Sequence, residues 1–166
     1  MKNLEKMFDE ALDIVKTTIG EDKVEYIYRP ITINKRARRW GSCTSSIDGR
    51  HRIEISDKLL DDGVSYDATM NTLIHEILHA CKNGQSHKGM WKIYANKINS
   101  KHPQFNIKRT TSYAEKGIEI PETVKKYAVE CEKCGFTHYG QRMSKLFKMP
   151  ERYSHNNCGG HFKRVF

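Results

Sequence analysis

Three of the eight histidines of this 166-residue chain fall in one stretch, "NTLIHEILHACKNGQSHKGMW" (Asn71 to Trp91), with a single glutamate among them. His75-Glu76-Ile77-Leu78-His79 spells H-E-x-x-H. On a helix, residues four apart share a face, so both imidazoles can reach one ion. Glu76 is close enough to polarise a water on that ion without ligating it. A catalytic zinc keeps three protein ligands and one open position. His87, past a turn at Asn83-Gly84, is the expected third ligand, with His51 and His102 as competitors. The chemistry this predicts is hydrolysis. The ion lowers the pKa of a water and polarises a carbonyl, while Glu76 takes the proton and passes it to the leaving amine. No oxyanion stabiliser beyond the ion stands out. Tyr113, Arg36, Arg38 and Arg39 are candidates, and a solvated basic loop is the plainer account of the three arginines.

A second cluster lies near the C-terminus. Cys131-x-x-Cys134 is matched by His155-x-x-Cys158. Two such pairs, each on a tight knuckle, make a closed Cys₃His zinc site, with His161 and His138 as alternatives for the histidine. Gly135 and Gly159 follow their cysteines, where a knuckle turn needs positive φ. A closed site has no open position, so this zinc would serve folding in a segment poor in apolar residues. The cofactor expectation is therefore two zinc ions, one catalytic and one structural. The other two of the five cysteines stand alone. Cys43 reads as a small buried turn residue rather than a thiolate aimed at the catalytic ion.

These residues need elements to position them. Asn3 is a cap for a first helix with Leu4, Met7, Phe8, Ala11, Leu12 and Val15 on one face and Gly20 at its end. "KVEYIYRPITIN" reads as extended chain broken at Pro30, and "HRIEIS" as a strand returning after a hairpin turn at Asp48-Gly49. Ser56 or Asp57 opens a short helix. Asp67 is expected to cap the motif helix, whose apolar face is Met70, Leu73, Ile74, Ile77, Leu78 and Cys81, and Gly84 to stop it. A further helix is expected from about His87 to Asn99, with Met90, Trp91, Ile93, Tyr94 and Ile98 inward. "KHPQFNIKRTTSYAEKGIEIPETVKK" has no clean period and reads as a connector. Trp40 and Trp91 are assigned to core packing. A composition shift puts a boundary near Pro121, giving domains of 1–120 and 121–166.

The net charge of +9 is uneven. Met1 to Cys81 carries 12 basic and 14 acidic residues; Lys82 to Phe166 carries 17 and 6. A polyanion such as a nucleic acid is the expected partner of that basic half, with solubility as the plainer alternative. "KRARR", at Lys35 to Arg39, is either a phosphate-tracking stretch or a solvated loop. No apolar run is long enough to span a membrane, and the N-terminus lacks the pattern of a signal peptide. The expectation is a cytoplasmic protein, with nucleoid association as the alternative, and no membrane partner.

The two clusters, in this order, resemble the SprT-like family. The resemblance runs from "RWGSCTSSIDGRHRIEIS" through "LIHEILHACKNGQSHKGMW" to "CEKCG…SHNNCGG". It implies an α+β fold: a zincin-like metalloprotease domain with a small antiparallel sheet and an active-site helix, followed by a small β zinc ribbon. His75, His79 and His87 match the family's ligands, Glu76 its catalytic acid/base, and Cys131, Cys134 and Cys158 its ribbon cysteines. His155 stands where the family's ribbon has a fourth cysteine. Family members of the Spartan type cleave proteins crosslinked to DNA, so the resemblance implies a protein substrate and a DNA partner, single-stranded or containing a junction. The other readings are a zinc hydrolase of a small amide or peptide, and a nucleic-acid-binding module with vestigial catalysis.

Overall fold

The computed structural model describes residues 2–35, 39–118 and 125–166. The architecture is α+β: among the described residues, four α-helices accompany two three-stranded sheets. The chain divides into two compact units, Met1–Ile120 and Pro121–Phe166.

In the first unit, helix α1 (Leu4–Ile19) starts where the Asn3 side chain accepts the Lys6 N–H at 3.0 Å. It ends at Gly20, whose φ of +106° only glycine adopts without strain. Leu4, Met7, Phe8, Ala11, Val15 and Ile19 are buried, following the three-and-four spacing. Strands β1 (Thr32–Asn34), β2 (Gly41–Ser45) and β3 (His51–Ser56) form the sheet, with β3 central. β2 and β3 pair antiparallel around the Asp48-Gly49 turn, but β1 runs parallel to β3. A wholly antiparallel sheet is thus corrected to a mixed one. The cause is upstream: at Ile27 the chain already runs beside His51 in the same direction as β3, and it enters β1 that way.

Helix α2 (Tyr66–His79) is the centre of this unit. Met70, Leu73, Ile74, Ile77 and Leu78 are fully buried, and the helix packs on α1, on the sheet and on the next helix. Its cap is Ser65, whose hydroxyl accepts the Ala68 N–H at 3.1 Å. Asp67, expected as the cap, lies instead in the first turn, where its charge suits the helix dipole. The helix also stops at His79, earlier than Gly84 implied. Residues 80–82 leave it to pair with the stretch after α1, through Glu25 N–H to Ala80 O at 2.9 Å and Lys82 N–H to Lys23 O at 2.8 Å. Gly84 then folds back on the helix so closely that a Cβ there would lie 2.0 Å from the Leu78 carbonyl oxygen.

Helix α3 (Met90–Lys101) starts after Gly89 rather than at His87, which leaves His87 on the preceding loop. Trp91, Tyr94, Ala95 and Ile98 face inward. Ile93, expected inward, is 46% exposed. It lies two residues from Trp91, on the opposite side of a 3.6-residue turn.

In the second unit, β4 (Tyr127–Cys131) lies between β5 (Thr137–Gly140) and β6 (Phe162–Arg164), antiparallel to both. A one-turn helix α4 (Lys145–Lys148) delivers Phe147 onto Val129, Cys131 and Phe162. A cluster of four buried apolar residues is too small to hold a fold without a cross-link.

Candidate metal centre

The last two turns of α2 bring His75 and His79 to one side, and the loop before α3 returns His87 to them. His87 Nε2 lies 2.9 Å from His75 Nε2 and 3.1 Å from His79 Nε2. The opposite ring nitrogens are held by backbone: His75 Nδ1 donates to Lys108 O at 3.0 Å and His79 Nδ1 to Gly84 O at 2.9 Å. Protons fixed on Nδ1 leave both Nε2 lone pairs facing His87. His87 can offer a proton to only one of them. A cation among the three nitrogens satisfies all of them, and zinc–nitrogen bonds of about 2.0–2.1 Å in tetrahedral geometry need nitrogens roughly 3.3 Å apart. Burial holds His75 down at about 3, with the neighbouring imidazoles of His79 and His87 acting the same way. Burial also lowers His79 and His87. Neutral imidazoles are what a metal requires. Trp91 lies against all three rings, its centroid 4.8 Å from His75, 5.7 Å from His79 and 4.8 Å from His87.

Glu76 is 6% exposed and stands beside β2. Burial pushes its carboxyl up to about 7, against the pull of Arg39, the Cys43 backbone N–H and Lys116. A base near neutrality suits proton transfer at physiological pH. The glutamate fits because Gly41 has no side chain: a Cβ there would lie 2.7 Å from Glu76 Oε1. Glu76 and the three histidines line a cleft of about 540 Å³.

The competing histidines are engaged elsewhere. His51 is 2% exposed and bonds Glu25 Oε2 at 2.9 Å and Ser45 Oγ at 3.1 Å. His102 bonds Thr18 Oγ1 at 3.2 Å. Cys43 sits on β2 and lines the cleft, and burial together with Glu76 pushes its thiol up to about 12, so it stays protonated. Arg39 lines the cleft, whereas Tyr113 packs edge-on against Trp40 at 4.6 Å. Arg36 and Arg38 lie outside the described residues. Trp91 is a core residue; Trp40 is half-buried, packing against the core on one side and lining the cleft on the other.

Three residues of this centre carry no motif signal. Asn99 clamps Ile107 from both sides, its Oδ1 accepting the Ile107 N–H at 2.7 Å and its Nδ2 donating to Ile107 O at 2.9 Å. Asn71 Oδ1 accepts the Asn106 N–H at 3.0 Å. Together they fix the stretch whose Lys108 carbonyl holds His75. What reads as a connector is thus a strap across the histidines. The third is Lys116, 4% exposed, which donates to Thr72 Oγ1 at 2.6 Å and Ala68 O at 3.3 Å at the wall of the cleft.

In the second unit, Cys131, Cys134, His155 and Cys158 place their ligand atoms within 4.8 Å of one another. His155 uses Nδ1, 3.2 Å from Cys134 Sγ and 3.3 Å from Cys158 Sγ. Phe136 stacks flat on its ring at 4.7 Å. Gly135 and Gly159 have φ of +71° and +70°. His138 stacks on Phe147 instead, and His161 is not in the cluster. Three thiols and one imidazole with no other ionisable group in the cluster are a donor set suited to a closed zinc site.

Among the described residues no helix is long and apolar enough to cross a membrane. A comparison with curated proteins finds no match. The family model described as "SprT-like family" matches residues 4–111, from α1 through the three histidines to the strap, and leaves the cysteine cluster outside the matched stretch. That match covers well over half of the chain, and the protein belongs to the SprT-like family.

Proposed function

We propose that this protein is a zinc-dependent metalloprotease of zincin type that cleaves DNA-associated or DNA-crosslinked proteins. The observation that carries the catalytic part is the convergence of three neutral imidazoles beside a buried glutamate in an open cleft. Membership of the SprT-like family supports metallopeptidase-type hydrolysis. The basic half of the chain supports the DNA part.

His75, His79 and His87 would hold the ion. A bound zinc supplies Lewis acidity, lowering the pKa of a water and polarising the carbonyl of the scissile bond. Glu76 accepts the proton of the attacking water and delivers it to the leaving amine. The Cys43 N–H orients its carboxylate, and Gly41 leaves room for it. The Lys108 and Gly84 carbonyls fix the tautomers of the two helix histidines. Cys131, Cys134, His155 and Cys158 would hold the second, structural ion.

The test is cleavage of a flexible, unstructured protein with and without single-stranded DNA, comparing wild type with Glu76→Gln. Cleavage stimulated by DNA and lost in the variant is the expected result. Cleavage in wild type that ignores DNA would remove the DNA part alone. Equal background in both proteins, with zinc bound, would remove the protease reading.

A further inference from the structure

The cleft around the histidines is lined by the cations Arg39, Arg109 and Lys116. Lys108 also lines the cleft and pairs with Glu115. Among the described residues that line the cleft, the one carboxylate is Glu76, which is buried and assigned to proton transfer. Arg39 and Arg109 are exposed, and among the described residues neither has an ion pair to a carboxylate. Other arginines of this unit do: Arg29 holds Glu5 and Asp9, and Arg50 holds Asp48.

A cleft lined by one sign of charge concentrates field and raises the local concentration of the opposite charge. An extended polypeptide lying in it shares the cleft with Arg39 and Arg109 as well as the histidines. A lysine or arginine beside the scissile bond meets repulsion there, and the bound metal dication would add to it. A carboxylate meets the exposed guanidinium groups of Arg39 and Arg109, a group type that binds carboxylates through two parallel hydrogen bonds.

We propose that this cleft selects polypeptide segments carrying aspartate or glutamate beside the bond to be cut. Arg39 and Arg109 are the specificity-determining residues. The preference is local to the cut segment and independent of the substrate's overall charge. It rests on the hydrolase reading of the same site, so its test uses binding rather than turnover.

Zinc-loaded, full-length Glu76→Gln protein is titrated with fluorescent peptides that share one uncharged core and carry flanking Glu, Ser or Lys. At low salt the Glu peptide is expected to bind about three- to tenfold tighter than the Ser peptide, and the Lys peptide weaker still. That preference should fall in Arg39→Gln and Arg109→Gln, and shrink as salt screens it. Equal binding of all three peptides overturns the proposal. So does an acidic preference that survives both substitutions. A short oligonucleotide that displaces the Glu peptide at lower concentration than a Glu-rich competitor would also overturn it, because the cleft would then be a phosphate site. Cleavage by the wild type of the uncharged peptide is scored separately. Its absence would count against hydrolysis, not against the charge preference.

Discussion

Gly41 has its Cα against the carboxylate of Glu76, so close that a Cβ there would stand 2.7 Å from Oε1 and 2.8 Å from Cγ. The glycine is on an edge strand and the glutamate on the central helix, and the strand can approach the helix only without a side chain. Gly41→Ala should displace Glu76 while leaving the three histidines in place. The expected outcome is a kcat/KM lower by about 10²-fold, the scale for misplacing a catalytic group by an ångström, with zinc content unchanged. Peptide hydrolysis and metal analysis on one preparation check this.

The strap across the centre depends on Asn99. Asn99→Leu keeps the branched skeleton and removes both bonds to Ile107, so the Lys108 carbonyl loses its anchor and His75 its orientation. Loss of an outer partner of this kind weakens metal affinity by about 10–100-fold. Competition with a zinc-binding dye, compared between wild type and variant, measures it. Affinity unchanged within twofold would mean that the carbonyl is held in place without Asn99.

Lys116 makes stability depend on pH. Burial lowers its pKa from 10.5 to about 8, despite the opposing pull of Glu115 and Glu76. Below pH 8 the lysine is charged in both folded and unfolded chains, and the cost of burying that charge is fully present. Between about 8 and 10.5 the unfolded chain holds the proton and the folded one has released it, so stability rises with pH. Lys116→Met removes the cost. It should be more stable than wild type at pH 7, by about 1–3 kcal/mol, and the gap should close as pH approaches 10.5. Urea denaturation of both proteins at several pH values reads the difference. A variant that is less stable at pH 7 would show that the bonds to Thr72 and Ala68 outweigh desolvation.

The second unit should depend on its own ion. Its apolar cluster among the described residues is small, four buried side chains, so the cross-link through Cys131, Cys134, His155 and Cys158 supplies what the core lacks. Cys158→Ser should abolish amide-exchange protection in β4 to β6 and leave α2 protected. His155→Cys should keep both the metal and the protection, because four thiolates make an equally closed site. Protection in the second unit of the Cys158→Ser protein would contradict the account.

The α2 ligands were readable because helical spacing alone puts residues 75 and 79 on one face. His87 was readable as a histidine following a turn. The glycines after Cys134 and Cys158 followed from knuckle geometry. Other features depend on contacts that a linear pattern does not encode. Gly41 matters only because a helix distant in sequence presses a glutamate against it. The strap has no period, because its backbone bonds to the side chains of Asn71 and Asn99 rather than to a neighbouring strand. Lys116 was passed over because lysines are ordinarily exposed. The parallel β1 was set by the path of residues 23–31. At the start of α2, Ser65 and Asp67 both have cap chemistry; the pattern favours Asp67, and the fold uses Ser65.

The most direct measurement is zinc stoichiometry alongside peptide hydrolysis in wild type, Glu76→Gln and His87→Ala. The account predicts two zinc ions per chain in wild type and in Glu76→Gln, and one in His87→Ala. It predicts hydrolysis in wild type, reduced by about 10²–10⁴-fold in Glu76→Gln. Two zinc ions retained in His87→Ala, or wild-type hydrolysis by Glu76→Gln, would contradict it.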